Sequence, residues 1–310
     1  MGDRPVSLIE SNHSSDSGTA FVAVGLPIYN EEQNLSALLD LLIGETYVHE
    51  IVAVDDGSSD ASPQILQSYA ARSPKVRPIR TGGRNGQLAA WITAAKSVET
   101  PVIAFVDADA RPAPGAIRSL AERIVSDPAC VIASGRVMPT DCTGFPASRF
   151  RGEAVHRIRL LGYPRDTMIG RFFAVRREWF LESATRADII ANDAYLGCLA
   201  ARQQRVSRYV PEAVCYYTEA SVSHDFAAQR QRADAGYRQL REMGLLERGY
   251  EPKAADYAKL LSTAALRDPV AAASWFVEQV KAKFRRAYST GGGHNGIWET
   301  QASTKRRLTL

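Results

Sequence analysis

Two acidic groups, about fifty residues apart, each close a short apolar run, and their types and spacing suit the binding of a cation and a donor-rich ligand. The first run is Ile51-Val52-Ala53-Val54, ending on Asp55-Asp56-Gly57-Ser58-Ser59-Asp60. The second is Val102-Ile103-Ala104-Phe105-Val106, ending on Asp107-Ala108-Asp109. A short apolar run bounded by polar and turn residues reads as a buried parallel strand. Ligands of open α/β sheets bind outside the carboxyl ends of such strands, so both acid clusters face one crevice. Carboxylates gathered there repel one another unless a cation or a donor-rich ligand accounts for them. Alternate residues of an extended segment point the same way, which would aim Asp107 and Asp109 together. That pair suits a hard divalent cation carrying phosphate oxygens, or a ribose; a solvated loop is the plainer alternative.

Four further segments carry candidates. Leu26-Pro27-Ile28-Tyr29-Asn30-Glu31 ends the first apolar run; the ring of Tyr29 could stack on a nucleobase, or pack at the base of a helix that Asn30 caps. Asp55 and Asp56 could accept from a base imide or a ribose hydroxyl, or cap the next helix, although two adjacent acids exceed what one cap needs. Thr81-Gly82-Gly83-Arg84-Asn85-Gly86-Gln87 could turn backbone N–H groups and Arg84 toward phosphate, or simply form a turn. It lacks the G-x-x-x-x-G-K-[ST] pattern, and no G-x-G-x-x-G follows a strand, which excludes a Walker site and argues against a dinucleotide dehydrogenase. Asp193, after Ile189-Ile190-Ala191-Asn192, taken alone is a helix N-cap.

The elements that must position these residues follow from periodicity. Strands are predicted over Ala20–Pro27, Glu50–Val54, Val76–Arg80 and Val102–Val106. Helices are predicted over Glu31–Ile43, Ser62–Arg72, Gln87–Ser97 and from Pro114-Gly115, with Ser62 as N-cap and Pro63 in the first helical position. This β-α alternation implies a parallel sheet with helices on both faces. Beyond Cys130 the rhythm breaks: Val131–Met138 and Arg171–Arg176 look strand-like, and Phe150–Leu161, Asp193–Arg202 and Pro269–Tyr288 look helical.

The 310 residues suffice for one large α/β domain with an appendage, and the +4 net charge is too mild to argue for nucleic acid. Four cysteines (Cys130, Cys142, Cys198, Cys215) without C-x-x-C spacing make zinc an unsuitable reading and favour a reduced, cytoplasmic setting. No apolar stretch reaches membrane-span length, and the polar first residues lack a signal-peptide core.

Together these segments resemble the large inverting glycosyltransferase family 2, with its GT-A fold. The likeness runs, in family order, from Pro27-Ile28-Tyr29-Asn30-Glu31 through Val54-Asp55-Asp56-Gly57-Ser58-Ser59-Asp60 and Phe105-Val106-Asp107-Ala108-Asp109. It continues through Ile169-Gly170-Arg171-Phe172-Phe173-Ala174-Val175-Arg176-Arg177 and Asn192-Asp193 to Gln229-Arg230-Gln231-Arg232, and covers roughly Val22 to Gly236. It implies an α/β fold, a nucleotide-binding α/β/α sandwich with a mostly parallel sheet and a C-terminal helical extension. The expected layout is a tail over 1–19, a catalytic domain over 20–240 with its halves meeting near 130, an extension over 241–290 and a tail over 291–310.

The resemblance also implies roles. Tyr29 and Asp56 would hold the uracil of a UDP-sugar, with Asp55 close by and Pro27, Asn30, Glu31, Arg84 and Ala108 in the same site. Asp107 would face the ribose or donor sugar, and Asp107 and Asp109 would bind Mn²⁺ or Mg²⁺ on the diphosphate. Asp193 would be the general base for the acceptor hydroxyl, and Gln229 and Arg232 would cover the diphosphate or the acceptor. His224 would be a further metal ligand, unless Ser223-His224-Asp225 is a surface turn.

Three features depart from the family. Asn192 stands where Glu is usual, Ala233 stands where processive synthases carry Trp, and their membrane helices are absent. The implied enzyme adds one sugar per encounter. The donor would be UDP-GlcNAc or another UDP-hexose, with GDP-mannose open; the acceptor would be a saccharide, a lipid-linked molecule or a small molecule. Rival classes are a nucleotidyltransferase and a non-catalytic nucleotide-sugar-binding scaffold. Around Lys281, the simpler expectation packs Val277, Val280 and Phe284 on the catalytic domain; the other lays the basic segment on a membrane surface.

Overall fold

The computed structural model describes residues 22–140, 146–164, 168–186, 188–218, 223–247, 249–250 and 252–288. The expected tails over 1–19 and 291–310 lie outside the described residues, as do the side chains of His224, Arg230 and residues 281–288.

The first half of the chain builds the expected alternation. Strand β1 (Val22–Ile28) leads to helix α1 (Glu32–Gly44), β2 (Val48–Asp55), α2 (Ser62–Arg72), β3 (Val76–Arg80), α3 (Gln87–Lys96) and β4 (Val102–Val106). β1 and β4 are apolar and buried almost throughout, as strands covered on both faces must be. β1 pairs in parallel with β2 on one side and β4 on the other. The crossovers reverse direction between β1 and β4, which makes that line the topological switch point where a crevice opens.

The second half is mixed. A three-residue β5 (Ala110–Pro112) precedes α4 (Ala116–Ser126), β6 (Cys130–Thr140), α5 (Pro146–Leu160), β7 (Phe172–Arg176), α6 (Arg177–Ser183), α7 (Asn192–Arg202), β8 (Val206–Thr218) and α8 (Ser223–Glu242). The single sheet runs β3-β2-β1-β4-β7-β6-β8-β5, with four of its seven pairings parallel. β7 returns antiparallel to β4, with Val106 opposite Phe172, so the residues after β4 meet those before β7. One buried layer joins α1, α2 and α4 to one sheet face; the other joins α3, α6, α7 and the end of α8 to the opposite face.

Two last helices, α9 (Ala254–Arg267) and α10 (Pro269–Tyr288), form a separate apolar cluster with α5. The rings of Phe150 and Trp275 meet at 5.3 Å there.

Several expectations change. Ser62 lies inside α2 rather than capping it, and its Oγ accepts the N–H of Glu31, tying α2 to the start of α1. Asn30 does not cap α1: its side chain accepts from the N–H of Ser59, and its N–H donates to Ser58 Oγ, joining the loops that follow β1 and β2. Ser223 to Asp225 open α8 instead of forming a surface turn. Val277 and Val280 are exposed and do not pack on the catalytic domain. β5, α6, β8 and α8 carry no expectation above.

Candidate active site

The strand ends of the first half set the rim. Ile28 and Asp55 are paired at the ends of β1 and β2, so Tyr29 and Asp56 emerge side by side. The guanidinium of Arg84 lies 3.9 Å from the centre of the Tyr29 ring. Asp55 is buried; one carboxylate oxygen accepts from Ser58 N–H at 2.9 Å, and the other lies 3.4 Å from Arg80 Nε. Asp56 is also buried, and its oxygens accept from the N–H of Asn85 at 2.8 Å and of Gly86 at 2.7 Å. Two backbone donors of the glycine-rich segment, which could have turned toward phosphate or simply formed a turn, are therefore directed at Asp56. The next residue, Gln87, donates its Nε2 to Asp107 at 2.8 Å, so one chain of hydrogen bonds runs from the end of β2 to the end of β4.

Asp107-Ala108-Asp109 is not extended. It is a tight turn in which the N–H of Ala110 donates back to the carbonyl of Asp107 at 3.0 Å. The antiparallel return of β7 brings Arg171 to this turn: its carbonyl accepts from Asp107 N–H at 2.9 Å. Its Nη1 reaches both oxygens of Asp109 at 3.0 Å, and its guanidinium lies 4.3 Å from the centre of the Tyr217 ring.

Behind this turn lies a cavity of about 270 Å³. Of the sequence candidates, Asp107, Asp193, Gln229 and Arg232 line it. Pro27, Tyr29, Asn30, Glu31, Asp55 and Asp56 lie at the ends of β1 and β2 and Arg84 in the loop after β3, none of them lining this cavity, and Asp109 is linked to it through Arg171. Asp193 sits in the first turn of α7, where its carboxylate accepts from the N–H of Ala194 at 2.8 Å and from that of Gly170. A Cβ at Gly170 would approach the Trp91 ring to 3.1 Å, so a larger residue there would press that ring back by a few tenths of an ångström.

The electrostatics join the two acids. Asp107 has its pKa pushed up to about 7, first by burial and next by the charge of Asp109; Arg171 and Gln87 oppose this, and Asp193 adds to it. Asp193 is also raised, mainly by burial, with the backbone donors of Ala194 and Gly170 opposing. Perturbed carboxyls in a concave site are what acid–base and cation-binding chemistry requires.

Other wall residues were not foreseen: Trp91, Arg151, Val155, Met168 and Tyr237. They come from helices and loops whose meeting is a tertiary event. Asn192 stands apart from these, being buried, on the cavity wall, and without a hydrogen-bond partner for either polar atom among the described residues. The sequence marked it only as a departure from the family's Glu.

Among the described residues no three His, Cys, Asp or Glu side chains gather as a metal cage. Two carboxylates in one turn still fit Mg²⁺ or Mn²⁺, because such ions are commonly held by one or two carboxylates together with substrate phosphates. Asp107 and Asp109 would hold the ion, and it would supply charge compensation to a diphosphate.

Comparison with known proteins bears on what this site serves. The model of Glycosyl transferase family 2 matches residues 23–183, just over half of the chain. A glycosyltransferase of Haloferax volcanii, AglE, is 28% identical over 95 residues, which is 30% of this chain and 31% of that protein. An undecaprenyl-phosphate 4-deoxy-4-formamido-L-arabinose transferase of Edwardsiella ictaluri is 37% identical over 109 residues, 33% of each chain. The match thus spans about a third of the length of these curated relatives. Among solved structures, the mannosyltransferase PcManGT of Pyrobaculum calidifontis, in complex with GDP-Man and Mn²⁺, aligns with a TM-score of 0.61 at 22% identity over 86% of this chain and 79% of its own. TarS of S. aureus (1–349), in complex with UDP-GlcNAc, aligns with a TM-score of 0.50 at 20% identity over 64% of this chain and 58% of its own. At these identities the likeness is one of fold, the mixed α/β sandwich of GT-A type.

Proposed function

The chain belongs to glycosyltransferase family 2, and from that premise we propose that it moves a sugar from a nucleoside-diphosphate sugar to an acceptor hydroxyl with inversion at the anomeric carbon. The observation that carries this reading is the cavity itself. Asp107, from the nucleotide half, and Asp193, from the second half, face one space and are close enough that the charge of Asp193 raises the pKa of Asp107. A donor held at the first acid presents its anomeric carbon toward the second.

In this reading the acceptor oxygen attacks the anomeric carbon on the face opposite the diphosphate, and the bond to the diphosphate oxygen breaks as the new one forms. Asp193 takes the acceptor proton during that step, since an alcohol is too weak an acid to lose it beforehand. The raised pKa of Asp193 improves it as a proton acceptor. Arg151, Gln229 and Arg232, which line the cavity, hold the anionic groups, and Tyr29 and Asp56, which follow the paired ends of β1 and β2, hold the base. A bound Mn²⁺ or Mg²⁺ would offset charge on the departing diphosphate.

UDP is the first choice of nucleotide, and GDP is the second. The similarity to the Edwardsiella undecaprenyl-phosphate transferase favours a lipid-linked acceptor over a free sugar. Neither a nucleotidyltransferase nor a non-catalytic scaffold draws support from these relatives.

Thermal melting with UDP, GDP and their sugars, with and without Mn²⁺, tests the donor site. A ligand at a hundred times its Kd should stabilise by about 2.7 kcal/mol. Asp193→Asn should keep that shift while losing about 10²–10⁴-fold in transfer, the usual worth of a general base. The absence of any nucleotide shift would remove the donor-site assignment. Unchanged transfer by Asp193→Asn would move the base elsewhere.

A further inference from the structure

The C-terminal helices leave an apolar surface uncovered. Eight large apolar residues are exposed among the described residues, and five of them fall between Leu266 and Val280. Leu266 is 86% exposed, Val270 67% and Phe276 63%; Val277 and Val280 are less so, but still exposed. Scattered single apolar residues need no explanation, whereas a contiguous set does.

These five are contiguous by helical geometry. α10 buries Ala271 and Glu278 and part-buries Trp275, spaced i, i+4 and i+7, toward α5. The exposed Val270, Ala273, Val277 and Val280 are spaced i, i+3, i+7 and i+10, which is a second stripe on the opposite side, widened by Phe276. At 1.5 Å per residue this stripe is about 15 Å long. Leu266 and the exposed Lys259 lie seven residues apart on α9 and share one face where that helix turns into α10. The same helix α10 continues through Lys281-Ala282-Lys283-Phe284-Arg285-Arg286-Ala287-Tyr288, which brings four cations and no acid.

A helix with one face packed on protein, another apolar and open, and a cationic end is suited to lie in the plane of an anionic membrane surface. A second protein copy would need an acidic patch opposite the four cations. The segment that follows α10 is mostly polar, with Ile297, Trp298, Leu308 and Leu310 as its large apolar residues. We propose that the α9–α10 corner docks this protein on a lipid surface, with Leu266, Val270, Phe276, Val277 and Val280 entering the headgroup boundary, and that the four cations of the sequence 281–288 make anionic lipid the preferred surface. α10 packs on α5, whose Arg151 and Val155 line the active cavity, so docking would leave that wall one helix away from the bilayer. The surface stands on its own exposure; its use in presenting a lipid-borne acceptor rests on the preceding functional reading.

Co-flotation of the full-length protein with vesicles of phosphatidylcholine, with and without phosphatidylglycerol, tests the proposal. Binding is expected with the anionic vesicles and should weaken with added salt. The variant Phe276→Ser/Val277→Ser/Val280→Ser should lose about tenfold or more in partitioning, since its changes remove buried apolar contact with lipid. All three residues are exposed, so the variant should melt with the parent. Lack of binding by the parent, or equal binding by the variant, overturns the proposal. So does a parent dimer in sedimentation that the triple variant dissolves, which would assign the face to a second copy. The nucleotide-dependent thermal shift reads the donor site separately, so lost vesicle binding with that shift intact removes the docking surface alone.

Discussion

Asn192 and Asp193 are neighbours on one cavity wall, yet their side chains are treated oppositely. Asp193 is held by backbone N–H groups, whereas neither polar atom of the buried Asn192 carboxamide has a partner among the described residues. A buried amide left unpaired costs about 1–3 kcal/mol, and a site that tolerates this gains when a ligand supplies the missing bonds. Asn192→Leu, similar in size and apolar, should therefore raise stability by about 1–3 kcal/mol in urea unfolding. The same change should lower kcat/KM for transfer while leaving the nucleotide-induced thermal shift in place. A variant that is less stable than the parent would mean that the amide is satisfied in solution and has no ligand role. The trade-off expected here is the usual one at sites built for ligands, where stability and function part company.

At the scale of elements, α8 is what closes the cavity, and it is seated by a glycine. A Cβ on Gly236 would approach the Ala191 Cβ to 2.5 Å and its backbone nitrogen to 2.9 Å. Gln229, Arg232, Ala233 and Tyr237 reach the wall because α8 comes this close to the start of α7. Gly236→Val should lift the helix, at a cost of about 1–3 kcal/mol for forced overpacking. It should raise the acceptor KM more than it weakens nucleotide binding, because the rim at Tyr29 and Asp56 belongs to other elements. Steady-state kinetics with the acceptor varied, set beside thermal melting with nucleotide, separates the two effects.

The same contrast explains what was legible beforehand. β4 and α10 fall where the pattern predicts, since a fully apolar run or a sustained helical period needs no partner to be recognised. Asp107 stood out because it follows a buried strand, whereas Asp193 alone read as a helix N-cap, a place Ala191 takes, and only the family resemblance marked it as a base. α8 escaped because its segment is strongly polar, and β8 because its burial alternates irregularly along thirteen residues. Arg151 and Arg171 escaped for a different reason: α5 and the antiparallel return of β7 bring them in, and neither contact leaves a local trace.

For the whole molecule, the site acts as a stored destabilisation that pH can read. An unfolded Asp titrates near 3.9, whereas burial and the charge of Asp109 hold Asp107 at about 7 in the fold. Between those values the folded chain binds more protons than the unfolded chain, so stability falls as pH rises through that window and levels off above it. Asp193, raised by burial, contributes with the same sign. Asp107→Asn keeps the amide neutral at every pH and removes its share of the fall. Its stability relative to the parent should be near zero at about pH 4, positive at about pH 6 and largest at about pH 8, measured by urea unfolding of the metal-free protein. Arg171→Ala should act in the opposite direction, because that guanidinium lowers the pKa of Asp107 and pairs with both oxygens of Asp109. Its deficit should widen over the same pH range, as Asp107 ionises without the counter-charge of Arg171. If the Asp107→Asn difference does not change with pH, Asp107 is ionised in the fold at every pH tested, and the strand-end acids are held apart by some means other than a shared proton economy.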